Sequence, residues 1–290
     1  MRHSSSILLF AIFLVISTVF KPSCVFCQEE PSYAGKPMSI WLNDLNYKNP
    51  KETRGQAQEA LRQIGTNSLP YLLIEMRDLG DLWKKDPTNF FNTPELADKI
   101  ANIRVAFKVL GASAKPAIPS LVKLLNNGEP PGIAAYELTQ IDPEAAAMAL
   151  SQALTNKTYG VRCAAANNLL YVGTNAVIAV PNLILCLKVE SLENLAAGPF
   201  DTDAAPLRSF AAAALSKIDK NPEIVVPALI ERLQQDKSTI VRVRAAQALG
   251  GLGKSAQAAI PALTQATQDA DSHVSHEATA ALKKIQSQSL

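Results

Sequence analysis

Apolar residues recur along this chain with a spacing that repeats seven times. Take Arg54, Ile100, Pro131, Arg162, Arg208, Arg242 and Ser275 as position 0 of seven units. Position +3 is then Ala57, Ile103, Ala134, Ala165, Ala211, Ala245 and Ala278. Position +7 is Leu61, Phe107, Leu138, Leu169, Leu215, Leu249 and Leu282, and position +10 is Ile64, Leu110, Ile141, Val172, Ile218, Leu252 and Ile285. Residues spaced in this way fall on one stripe of a 3.6-residue helix, so each unit predicts a helix with one apolar face, with alanine where a neighbour comes close.

Position +11 is Gly65, Gly111, Gly173 or Gly253 in four units and Asp142 or Asp219 in two more, residues that stop a helix. Eight residues later a proline recurs at Pro119, Pro181, Pro227 and Pro261, with Pro70 arriving early in the first unit. Proline in a first helical turn loses no hydrogen bond, so these positions predict the start of a second helix. Successive units begin 46, 31, 31, 46, 34 and 33 residues apart, which places insertions near 78–95 and 190–203. The pattern predicts an all-α fold: an α-solenoid, a right-handed superhelix of antiparallel helical hairpins, with six full repeats and a terminal half-repeat.

The run Val241-Arg242-Val243-Arg244-Ala245-Ala246-Gln247-Ala248-Leu249-Gly250 resembles the first helix of HEAT repeats, in particular the short repeats of phycobilisome lyases. Ala258-Ala259-Ile260-Pro261-Ala262-Leu263 is similar to the start of the second helix, and the likeness extends from about Ile40 to Ile285. Gly35-Lys36-Pro37-Met38-Ser39-Ile40-Trp41-Leu42 resembles the lead-in of exported bacterial HEAT-repeat proteins, a class with no assigned activity.

Residues 1–27 are expected to be a secretory signal: a basic start at Arg2, then a run from Ile7 to Phe20 without charge. That run is 14 residues long, against roughly 20 needed to cross a bilayer. Cleavage after Cys27 fits best, leaving 28–290 as one solenoid in the periplasm or medium. A lipid on Cys24 or Cys27, or an uncleaved signal, is the lesser alternative. Removing residues 1–27 takes Arg2 and Lys21 from the 28 basic residues and no acid, leaving 26 against 26. Such a balance argues against a polyphosphate partner. Cys163 and Cys186 are then the remaining cysteines, too few for a disulfide scaffold. Their offset of roughly 7 Å along antiparallel helices favours free thiols.

Candidate chemistry is sparse. The arginines at position 0 (Arg54, Arg162, Arg208 and Arg242) are expected to bond to neighbouring repeats and loop carbonyls. Asn156, Asp236 and Asp269, six residues before position 0, read as helix caps. His276-Glu277 is similar to the motif that holds two irons in deoxyhypusine hydroxylase, but the equivalent residues in other units are Gly55-Gln56, Cys163-Ala164, Ser209-Phe210 and Val243-Arg244. No metal or cofactor is therefore expected, and no catalytic residue is assigned. The insertions carry Trp83, Phe90, Phe91 and Phe200 among charges, and aromatics in that setting resemble interface anchors. Helical spacing of Leu79, Leu82 and Trp83 equally fits a prolonged helix that covers the core. The expected role is a non-catalytic module that binds another protein. Alternatives are a lyase-like or metal-dependent accessory enzyme and, behind it, a nucleic-acid binder.

Overall fold

In a computed structural model, residues 30–86, 89–128, 130–192, 196, 203–218 and 220–287 are described. A two-stranded antiparallel hairpin, β1 (Ser32–Tyr33) and β2 (Lys36–Pro37), turns through Ala34 and Gly35, both at positive φ. It leads into α1 (Met38–Asp44), which buries Met38, Trp41 and Leu42 at the end of the array. Six hairpins follow: α2 (Lys51–Ile64) with α3 (Leu69–Lys85), α4 (Pro94–Leu110) with α5 (Ile118–Asn126), α6 (Pro131–Ile141) with α7 (Pro143–Ala153), α8 (Tyr159–Val172) with α9 (Val180–Leu187), α10 (Ala205–Ile218) with α11 (Pro222–Gln235), and α12 (Thr239–Gly251) with α13 (Ile260–Ala266). The described chain closes on α14 (Ser272–Ser287).

The apolar code is the core. Every +3 and +10 residue is buried, and so is every +7 residue except Leu282, which is half-buried against its neighbours. Burying one such leucine is worth about 2 kcal/mol, so the repeated code contributes a substantial part of the drive to fold. Gly65, Gly111 and Gly173 end their helices at φ between +50° and +61°, with ψ near −130°, a conformation that a Cβ disfavours, and Gly253, just past α12, has φ +52°. A short 3₁₀ segment then carries the chain into the second helix, where Pro70, Pro119, Pro181 and Pro261 sit in the first turn. This break gives Pro94–Asn126 and Tyr159–Leu187 their form: each is apolar and long enough to cross a membrane, yet is folded as two antiparallel helices.

Two units turn differently. Asp142 caps α7, its Oδ1 accepting the N–H groups of Glu144 and Ala145. Asn221, at φ +58°, precedes Pro222 and opens α11 there. Pro227 therefore lies inside α11, not at its start, because Pro222 already provides the first-turn proline five residues earlier.

Consecutive first helices (α8, α10, α12, α14) pack on one another more closely than consecutive second helices do. At Gly250 of α12 a Cβ would come within 2.9 Å of the Cα of Ala281 in α14, which shows how near the backbones run.

Candidate partner-binding face

Two of the position-0 arginines, Arg208 and Arg242, stitch adjacent repeats together. Arg208 donates from Nε to Asp236 Oδ2 at 2.7 Å and from Nη2 to Oδ1 at 3.0 Å, and its Nη1 reaches the Val189 carbonyl. Arg242 makes the same two-pronged contact with Asp269 at 3.0 and 3.1 Å, and also donates to the Asp236 carbonyl. Asp236 and Asp269 are thus acceptors for the preceding unit's arginine and each closes a turn onto the N–H two residues on, instead of capping the next helix. Ser238 and Asp271 stand nearer those helix starts, and Asp271 accepts from the N–H of His273. Burial works against the charge of Asp236, but the bonds from Arg208 and Ser238 and the charges of Arg208 and Arg232 outweigh it and hold its pKa below the ordinary value.

Asn156 shows why the pairing is selective. Its unit follows one with Pro131 at position 0, so there is no arginine to receive, and the uncharged side chain donates instead to the Asn126 carbonyl. Arg162 in turn donates to the Asn156 carbonyl. Arg54 faces a next unit whose corresponding residue is Pro94, and its buried Nε has no hydrogen-bond partner.

Of the four insertion aromatics, two have described side chains: Trp83 is half-buried and Phe90 is buried. The helix α3 runs on to Lys85, with Leu79 buried and Trp83 half-buried against the core. Phe90 is 2% exposed and meets Trp83 edge-on, ring centroids 5.5 Å apart. Phe90 is therefore interior: the prolonged helix needs an apolar lid, and this ring supplies it. The Phe91 side chain and all of Phe200 lie outside the described residues. The described ends of the second insertion are tied to the repeats. Ala196 exchanges backbone bonds with Lys157 and Tyr159, buried Tyr159 donates to the Asp203 carbonyl, and Glu190 accepts from Arg232 at 2.5 Å.

Exposed chemistry gathers instead on the first-helix row. Arg104 lies over the Tyr136 ring at 4.8 Å, and Tyr136 meets Tyr171 edge-on at 5.9 Å, with Tyr171 63% exposed. Next along the row is a groove of about 360 Å³ between α8, α10, α12 and α14. Its lining includes the cations Lys217, Arg244 and Lys284 and no carboxylate. Among the described residues none of these three forms an ion pair, and Arg244 donates to Gln247 Oε1 at 2.9 Å. A larger cavity of about 620 Å³ beside α1, α3 and α4 differs in kind, since its two lysines are neutralised internally. There Lys48 pairs with Asp98 at 2.6 Å and Lys99 pairs with Glu75.

His273 and His276 are exposed on α14, and no cluster of three or more metal-ligating side chains occurs among the described residues. Cys163 and Cys186 are not joined in a disulfide, and burial pushes the Cys186 thiol up to about 11. Glu137 of α6 is fully buried with neither carboxylate oxygen hydrogen-bonded, and burial raises its pKa to about 8 against the opposing charge of Arg104.

Stacked antiparallel hairpins that contact only their neighbours define an α-solenoid. Residues 226–290 match the family of HEAT repeats. The same apolar code runs back from that segment to Arg54, so the fold is an all-α solenoid whose C-terminal repeats match HEAT repeats. Among solved structures, one engineered protein is 19% identical over 87% of this chain and 99% of its own, with a TM-score of 0.49. A second engineered protein is 21% identical over 86% and 96%, with a TM-score of 0.47. Human deoxyhypusine hydroxylase, in complex with glycerol, is 18% identical over 86% and 96%, with a TM-score of 0.37. Likenesses at this level transfer no activity and no residue role. None of the curated proteins matches the chain.

Proposed function

We propose that this solenoid is a non-catalytic module that holds another protein against its first-helix face, outside the cytoplasm. The observation that carries the reading is the row from Arg104 through Tyr136 and Tyr171 to Lys217, Arg244 and Lys284. It spans successive repeats and remains open, while Phe90 of the first insertion is buried and Trp83 half-buried. Exposed aromatics and arginine beside amide groups are the residue types that dominate protein interfaces. A solenoid adds reach, because equivalent positions of adjacent repeats lie side by side along one surface.

The test is crosslinked affinity capture of the full chain from its native compartment, with two variants in parallel. Tyr171→Ala/Lys217→Ala/Gln247→Ala truncates the face, and the other variant replaces 190–203 by a short loop. Loss of the captured protein with the face variant alone supports the reading. Capture that survives the face variant but not the loop replacement moves the site to the insertion and overturns it. N-terminal sequencing of the exported chain checks location, with Gln28 the expected first residue.

A further inference from the structure

We infer that the groove between α8, α10, α12 and α14 takes an extended acidic segment of the partner, with carboxylates at about every third residue; this rests on the first-helix reading above. Three cations from three successive helices line one groove with no carboxylate among them. Unpaired like charges so close repel one another, and a bound anion relieves that repulsion. Lys217 and Lys284 both occupy position +9 of their units, on α10 and α14, with α12 between them. Packed helices lie about 8–10 Å apart, and an extended chain advances about 3.3 Å per residue. One helix is therefore crossed in about three residues of ligand, and the two lysines are matched by carboxylates about six residues apart.

Arg244, at position +2 of α12, lies seven residues before Gly251 of the +9 row, or about 10 Å along the helix. Its longer side chain enters the groove from that side and faces the intermediate carboxylate. The floor between the cations is made of small residues, Ala213, Ser216, Ala248 and Gly251, which let a backbone settle close. Asn167 and Gln247 in the lining present amide groups, the natural partners of peptide N–H and C=O.

A peptide fits better than a nucleic acid. The cationic stretch is three residues long and gives way to Asn167 and Tyr171 on α8, whereas a phosphate backbone calls for a longer basic stripe. On α14 the same row also carries Glu277, seven residues before Lys284, which bounds the cationic patch.

Fluorescence anisotropy on the full chain tests this. The probe is a labelled peptide of about twelve residues in a serine–alanine background, with glutamate at every third position. Controls carry glutamine at those positions, the same glutamates in one block, or lysine. The spaced glutamate peptide is expected to bind on the order of tenfold more tightly than the glutamine peptide, and to weaken as salt rises through the range where exposed charges are screened. Lys217→Glu/Arg244→Glu/Lys284→Glu is expected to reverse the preference toward the lysine peptide; should that variant melt early, the glutamine substitutions at the same sites serve, with loss of preference in place of reversal.

Equal affinity for the glutamate and glutamine peptides overturns the inference. So does single-stranded DNA of matched charge that binds more tightly than the glutamate peptide. If the peptide test fails while the captured partner still needs Tyr171, Lys217 and Gln247, the acidic chemistry falls and the first-helix reading stands. If the captured partner ignores those residues, the reading itself falls.

Discussion

Two carboxylates with the same job, Asp236 and Asp269, sit in different surroundings, and that difference has a measurable cost. The Arg208–Asp236 pair is buried and the Arg242–Asp269 pair is part-exposed. Removing one member of a buried pair leaves the other charge without solvent or counter-charge, so Asp236→Ala is expected to destabilise by about 3–5 kcal/mol. Asp269→Ala leaves Arg242 to water and is expected to cost about 1 kcal/mol or less. Urea unfolding of both variants decides; equal shifts would mean that burial is not what sets the value. Both carboxylates titrate below their ordinary range, so their contribution is present above about pH 4 and lost as the solution is acidified through the lower folded-state values. Glu137 has the opposite sign. Its folded pKa is raised from 4.5 to about 8, so the folded chain keeps a proton that the unfolded chain releases. Stability should therefore fall as pH rises from about 5 to about 8, by up to a few kcal/mol, and Glu137→Gln should flatten that slope. Melting curves across that range check it, and an unchanged slope in the variant would remove Glu137 as the cause. None of this was readable from the lone Glu137, because five of the seven units have alanine at its position and sequence does not say which way a side chain is enclosed. The arginine pairing did leave a trace: aspartate precedes position 0 by six residues in the units that follow Arg208 and Arg242, and asparagine does so after Pro131. The same aspartates also fit a capping reading, so spacing alone did not separate the two.

At the scale of helices, contact distance determines what a glycine is for. Gly250 has α14 backbone 2.9 Å from where its Cβ would stand, while Gly55 in α2 has nothing within 4 Å. Gly55→Ala is expected to stabilise by up to about 1 kcal/mol through helix propensity. Gly250→Ala gains the same propensity but forces α12 and α14 apart, a strain of about 1–3 kcal/mol, so its net effect is zero to destabilising. Denaturant midpoints of the two variants should move apart, and a stabilised Gly250→Ala would mean the helices separate freely there. The first helices were legible because the +3, +7 and +10 positions carry one code. The second helices were less so. A proline at the expected offset marks α5, α9 and α13, but Pro227 satisfies the same offset from inside α11, whose start is set by Asn221 and Pro222. The strands β1 and β2 are two residues each, too short for any periodicity to register, and the Ala34-Gly35 turn is what closes them.

Across the whole molecule, the proposed binding face is built from parts that no linear motif joins. Lys217, Arg244 and Lys284 come from three units at positions +9, +2 and +9, and only stacking makes them neighbours. By contrast Trp83 and Phe90 drew notice by residue type, yet residue type does not distinguish an anchor from a lid. Stacking also dictates how damage spreads. Each hairpin contacts its neighbours, so loss of one interface should weaken adjacent units and leave distant ones intact. The N-terminal end is closed by α1, whose Trp41 is buried and donates from Nε1 to the Tyr33 carbonyl while Lys36 lies over its ring at 4.5 Å. Trp41→Ala removes a large buried ring, a change worth about 3–5 kcal/mol locally. Its effect should be read by native-state hydrogen exchange, in which opening energies are resolved segment by segment. Amides of α2 and α4, which pack on α1, should lose protection, while those of α12 and α14 keep theirs. A uniform loss through α14 would instead show that the repeats open as one cooperative unit, and the groove at α10 to α14 would then depend on an interface at the other end of the array.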